Sequence, residues 1–126
     1  MYRLEMLGYV VRDITLHNDA DGAQFQLKHS YQHQVRYTQD QRCNAELTVE
    51  TFRDDDASKF SLHLVIDGIF RWEGEQDKAR LHADTFRELY PFAKAAIANL
   101  TVNAGLPPVI IPAVNIEGQA IYRIEK

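Results

Sequence analysis

One cysteine in 126 residues excludes an internal disulfide, and with it the small secreted scaffolds that rely on bridges. A reducing, cytoplasmic setting is the expectation. No apolar run approaches the length of about 20 residues that a membrane-crossing helix needs. The opening stretch MYRLEMLGYVVRD is broken by charge and carries neither the apolar centre nor the cleavage site of an export signal, so none is expected. Positive charge is short as well. Fourteen Lys and Arg against 18 Asp and Glu leave a formal charge of −4, which offers no basic field to nucleic acid. A glycine-rich phosphate loop and a serine elbow are also missing, as are paired carboxylates in an apolar setting. What is present is 45% hydrophobic residues, enough for the core of one domain spanning residues 1–126.

The chain divides by periodicity. Residues 1–73 alternate with period two, residues 86–104 repeat at helical spacing, and the remainder is punctuated by Pro and Gly. A first strand, roughly Leu4 to Leu16, leads into a turn at Asn18 to Gly22. In the second, Phe25, Leu27, Tyr31, Val35 and Tyr37 share one face and a run of polar residues the other, the pattern of a half-buried antiparallel strand. Asp40 and its neighbours turn the chain. Cys43, Ala45, Leu47 and Val49 then point inward from a third strand, and Asp54 to Ser58 make a polar hairpin loop. The fourth carries Phe60, Leu62, Leu64, Ile66, Phe70 and Trp72 inward, with Gly68 read as a bulge. Such a face needs a cover. Phe86, Leu89, Tyr90, Ala93, Ile97, Leu100 and Ala104 supply it from one helix, its start assigned to a cap at Asp84 or Thr85 with Pro91 in the first turn. Gly105 sits where a left-handed cap belongs, and Pro107 and Pro108 stop the helix. The fold class is therefore α+β: a four-stranded antiparallel sheet, one long helix packed on it and a short C-terminal element.

That helix is apolar on more than one side. From Pro91 to Ala104 its only charge is Lys94, while its back carries Phe92, Ala95, Ala96, Ala98 and Val102. One small sheet cannot bury a helix twice, and small side chains admit a close neighbour. A homo-oligomer with these five residues at its interface is expected. The segment Leu106 to Ile116 is extended and apolar, and its three prolines forbid ordinary ladder pairing. It must pack against the sheet, another subunit or a client chain.

Residue types that carry chemistry are sparse. His29 and His33 lie four apart on a strand, roughly 13 Å, too far for a shared metal, and read as partly exposed sheet residues. Cys43 lies inward among apolar neighbours, as a core residue and not a nucleophile. His17, His63 and His82 show no motif spacing, and Asp54, Asp55 and Asp56 lack the flanking residues of a calcium loop. No catalytic residue, metal or cofactor is expected. The aromatics Phe25, Tyr31, Phe52, Phe70, Trp72, Tyr90 and Phe92 read first as core and second as a binding groove. The composition points to a protein that binds and does not react.

Ordered motifs then become recognisable. Gly68-Ile69-Phe70, Leu89-Tyr90-Pro91-Phe92-Ala93-Lys94, Gly105-Leu106-Pro107-Pro108 and Pro112-Ala113-Val114-Asn115-Ile116 resemble, in order, the signature of the SecB-type protein-export chaperones. Arg12-Asp13-Ile14-Thr15-Leu16 is similar to the K-D-I-S-F stretch of that family. The resemblance implies an ATP-independent holdase that keeps unfolded or extended polypeptides in apolar grooves of a homo-oligomer, a dimer of dimers. It places client contacts at Phe25 and Leu27 on one side of a groove and at Leu106, Ile121 and Tyr122 on the other. Asp13 matches a contact to the export motor SecA, while His17 and His63 stand where the family has glutamates. The chain stops at Lys126, without the family's SecA-docking tail, so the expectation of SecA binding is weak. An alternative is a dedicated interaction protein of SecB-like fold that serves one partner, for example an antitoxin. Dimer against tetramer, and helix against strand at 119–126, stay open.

Overall fold

The alternating runs form four strands, β1 (Arg3–Asn18), β2 (Leu27–Gln39), β3 (Arg42–Arg53) and β4 (Phe60–Glu73), and the helical repeat forms α1 (Lys78–Asn103). These elements are those of a computed structural model that describes residues 2–19, 26–75 and 77–112. The strands make one antiparallel sheet in the order β1-β4-β3-β2. The central pair supplies most of the core: Cys43, Ala45, Leu47, Val49, Leu64, Ile66 and Phe70 are fully buried against α1. Gln41, at φ 57, turns β2 into β3, and Asp56 ties the next loop by accepting from the Ser58 backbone N–H at 3.0 Å.

Strict alternation fails in β1, for a visible reason. Its pairing with β4 slips between Met6 and Gly8 and again between Val11 and Asp13. Each slip adds a residue, so the inward set steps by three across it: Leu4 and Met6, then Tyr9 and Val11, then Ile14 and Leu16. All six stand opposite inward residues of β4. Two bulges thus keep an irregular sequence in phase with its neighbour.

The bulge expected at Gly68 is not there. Gly68 pairs in register with Tyr9 on one side and Ala45 on the other. Its lack of a side chain serves the helix instead. A Cβ here would stand 2.8 Å from Leu89 Cδ2 and 2.8 Å from Phe70 Cε1, both in fully buried side chains. Glycine is what lets α1 close on β4.

The helix also starts earlier than its apolar period suggests. Asp77 is the cap, accepting from the Arg80 backbone N–H at 2.8 Å, so neither Asp84 nor Thr85 has that role. The first two turns show only Leu81 and Ala83 as apolar core positions, which hides them from a periodicity argument. Pro91 lies inside the helix on its exposed side, where losing a backbone N–H costs least. The C-terminal end is as expected. Gly105, at φ 84, donates to the Val102 carbonyl and Leu106 donates to that of Thr101, each at 3.0 Å, a Schellman closure. Leu81, Thr85, Leu89, Ala93, Ile97 and Thr101 form an unbroken ridge of fourth residues along the buried face.

His33 is not partly exposed. It is 1% accessible, with Nε2 2.9 Å from Thr85 Oγ1 and its ring against those of His82 and Phe86. Thr85 spends its only hydroxyl hydrogen on the Leu81 carbonyl at 2.7 Å, so it accepts from His33, and Nε2 carries the hydrogen. By strand parity both histidines share the face of Tyr31, and that face is the covered one. His29 is half-buried, its Nδ1 2.9 Å from Thr51 Oγ1, and burial lowers its pKa below the usual 6.5.

Two outcomes follow. Gly68→Ala should cost about 1–3 kcal/mol, because buried side chains must give way, and a urea titration measures it. For His29 the unfolded chain binds the proton more tightly than the folded one. Its contribution is therefore complete above pH 6.5 and is lost as the pH falls through the interval below. Urea midpoints at pH 7.5 and pH 5.0 should show a smaller loss for His29→Gln than for the natural chain; an equal loss rejects the assignment.

Candidate functional site

The path of α1 across the sheet decides which apolar groups stay uncovered. Its N-terminal half lies on β2, where Thr85 meets His33; its middle closes on β4 at Gly68; and Phe92 reaches β1, stacking on Tyr9 with ring centroids 4.5 Å apart. The crossing is oblique, and a single helix leaves part of the β1 face open. Tyr9 remains 47% accessible and Ile14 38%. On the outer side of α1, Phe92, Ala95, Asn99 and Val102 are exposed at spacings of three, four and three residues. That is the seam spacing of packed helices. Of the five residues expected at an oligomer interface, Phe92, Ala95 and Val102 lie on this exposed side. Ala96 and Ala98 are half-buried, and Ala96 packs against the core.

The apolar segment after the helix packs on its own subunit as far as Pro112. Ile111 is 1% accessible and belongs to the core, and Val109 packs beside it. Among the described residues, the backbone of this segment is held by side chains and not by a strand. Tyr90 donates its hydroxyl to the Ile111 carbonyl at 2.7 Å, and Tyr31 donates to that of Pro112 at 3.1 Å. The Val109 N–H donates to Thr101 Oγ1 at 3.0 Å. Thr101 can accept because its own hydrogen goes to the Ile97 carbonyl, the same device by which Thr85 receives His33. Burial raises the pKa of both tyrosines, so both phenols stay donors across the physiological range.

Of these three anchors, Tyr31 and Tyr90 were among the aromatics read as core or groove, and Thr101 was not singled out from the sequence. A signal was present: Thr85 and Thr101 sit at core positions of the helical ridge, where an apolar residue is the default. Of the expected client contacts, Leu27 is half-buried at the start of β2, and Leu106 is half-buried just beyond the helix cap. Phe25, Ile121 and Tyr122 lie outside the described residues, as does the segment 119–126.

The outer face of the sheet carries several charged pairs beside the exposed apolar side chains of Leu7, Val10 and Ile69. Asp13 is exposed on β1, accepts from Thr15 Oγ1 at 3.1 Å and lies 3.6 Å from His63 Nε2. His63 Nδ1 is 3.0 Å from Glu50 Oε2, and since a carboxylate only accepts, that nitrogen carries hydrogen. His63 thus lies between the carboxylates of Glu50 and Asp13. Arg12, displaced by the second bulge, donates from Nε to Asp67 Oδ2 at 2.9 Å, and Asp67 is almost wholly covered. Arg71 pairs with Glu5 at 2.8 Å. Cys43 is fully buried, and burial pushes its thiol up to about 11, which keeps it protonated. The described surface thus offers apolar area on α1 and β1 and charged pairs on the outer face.

A family model described as preprotein translocase subunit SecB matches residues 3–126. The protein-export protein SecB of Rhizobium etli is 35% identical over 75 residues, covering 57% of this chain and 47% of that protein. The protein-export protein SecB of Agrobacterium fabrum is 33% identical over the same length, with the same coverage. The chain spans about half the length of these curated relatives. Among solved structures, the Mycobacterium tuberculosis Rv1957 SecB-like chaperone, in complex with a ChAD peptide from the Rv1956 HigA1 antitoxin, has a TM-score of 0.70 at 12% identity. That likeness covers 90% of this chain and 88% of that one, and it is a likeness of fold. With the sheet order, the single helix laid across it and a match over nearly every residue, the chain belongs to the SecB family.

Proposed function

We propose that this chain is an ATP-independent holdase of one SecB-like domain that binds unfolded or extended polypeptides as a cytoplasmic homo-oligomer. The observation that carries this reading is the family match over residues 3–126. The geometry supports it in two places. The apolar groups left open at Tyr9, Ile14, Phe92 and Val102 suit a second copy. The half-buried Leu27 and Leu106 stay as candidates for the client groove, together with Phe25, Ile121 and Tyr122. No helix among the described residues is long and apolar enough to cross a membrane.

Asp13 is accessible for a SecA contact, with His63 lying beside it and beside Glu50. The dedicated-partner alternative draws on an antitoxin peptide bound to a protein only 12% identical, and the holdase reading has the family match in its favour.

Purified chain should suppress aggregation of a chemically unfolded client at stoichiometric amounts without nucleotide. Unchanged aggregation at several-fold excess would sink the holdase reading. For the assembly, light scattering should return four times the 14.5 kDa of one chain. Phe92→Asp and Val102→Asp should lower that mass with the far-UV spectrum intact, since both side chains are exposed in the protomer. An unaltered mass in both variants rejects the interface.

A further inference from the structure

We infer that the cleft where β4 passes into α1, lined by Trp72, Glu75 and Asp77 with Tyr37 beside it, binds a small free organic cation of the quaternary ammonium class. The inference does not depend on the holdase reading.

The aromatic walls come from the ends of two strands. Trp72 packs beside the core from β4, and Tyr37, opposite Cys43 in the register, shares that inner face from β2. Their rings stand nearly at right angles, at 87°, with centroids 6.2 Å apart. Trp72 is half-buried and Tyr37 is exposed, so both rings stay partly open to solvent. The backbone fixes the corner they make. The Trp72 N–H donates to the Gln41 carbonyl at 3.0 Å, which ties the end of β4 to the turn between β2 and β3. Gln41, Trp72, Gly74, Glu75 and Asp77 line an open cleft of about 650 Å³ at this corner.

The chemistry of the corner selects a cation. An aromatic ring is negative on its face, and two rings set at an angle offer more than one such contact. One ammonium group is already placed there: Lys78, the first residue of α1, holds its Nζ 5.1 Å from the centroid of the Tyr37 ring. The charges agree. Glu75 is exposed and joins no ion pair among the described residues. Burial raises the pKa of the Tyr37 phenol, and Cys43 and Asp77 add to that, which puts Asp77 within electrostatic reach of the same ring. The positive end of α1 lies close by, and the Asp77 cap offsets it. Arg71 lies on the opposite face of the sheet and is committed to Glu5 at 2.8 Å. An anion would meet two carboxylates and is excluded. A metal ion finds no group of three ligating side chains among the described residues, and a strongly hydrated ion gains little from an aromatic wall. A quaternary ammonium, weakly hydrated and apolar at its surface, suits both the rings and the carboxylates. Its phosphate ester would bring an anion against Glu75 and Asp77, so the free cation is the ligand.

Trp72 is the only tryptophan in the chain, so its fluorescence reports this site alone. Choline chloride should change the emission saturably, with half-saturation in the millimolar range, where sodium chloride of equal ionic strength does not. The neutral tert-butyl isostere of choline, and phosphocholine, should each bind at least about fivefold more weakly. Lys78→Gln removes the resident ammonium and should tighten choline about threefold. Tyr37→Leu should weaken it about fivefold, and Glu75→Gln about twofold at low salt. All three side chains are exposed, and an unchanged far-UV spectrum checks that the fold is kept. Emission that never saturates, or that sodium chloride changes equally, overturns the site. A neutral isostere as tight as choline does the same, because apolar contact alone would then explain the binding. Phosphocholine as tight as choline overturns the assignment to a free cation. Should Tyr37→Leu not fold, Lys78→Gln and Glu75→Gln decide, and an affinity unmoved in both rejects the site.

Discussion

Everything in this structure depends on the contact between α1 and β4 at Gly68. A helix ridge of fourth residues, with Leu89 at its middle, comes so close to the sheet that a single methyl group would collide with it. That closeness sets the height of the helix over the core, in which Ala93 and Ile97 are fully buried. It also sets the crossing, from His33 on β2 to Tyr9 on β1. A helix placed obliquely over four strands cannot shield all of them. The uncovered parts, the β1 face beside Tyr9 and the outer strip through Phe92 and Val102, are consequences of this one approach.

Covering the remaining inner face falls to the segment after the helix, and the way it is held says much about the interior. Several polar groups that enter the core do so in pairs: Thr85 with His33, Thr101 with the Val109 N–H, and Tyr31 and Tyr90 with two carbonyls. A buried polar group without a bond is expensive, so these pairs specify one arrangement more sharply than apolar packing does.

Much of the fold was legible beforehand because it is local. The inward faces of β2, β3 and β4, the turn at Asp40, the helix and its stop at Gly105 all follow from alternation, helical spacing and cap chemistry within a few residues. Errors arose where local patterns are silent or misleading. Gly68 carries the signature of a bulge, but it serves a helix residue some twenty positions later. The cap at Asp77 precedes two turns with little apolar content. His33 follows strict alternation into the core, yet its residue type suggested the surface, and only the Thr85 partner makes burial tolerable.

The candidate site divides in the same way. Sequence alone determined the family, through four ordered motifs, and the excess of apolar surface on the helix, because composition and spacing are properties of the chain itself. The tertiary structure decided which of those apolar groups remain uncovered, that β1 needs two bulges to stay in phase, and that the proline-containing segment lies in a groove of its own subunit. Those depend on residues dozens of positions apart meeting within a few ångströms. Such meetings are set by the packing of helix on sheet, and no periodicity within one element encodes them.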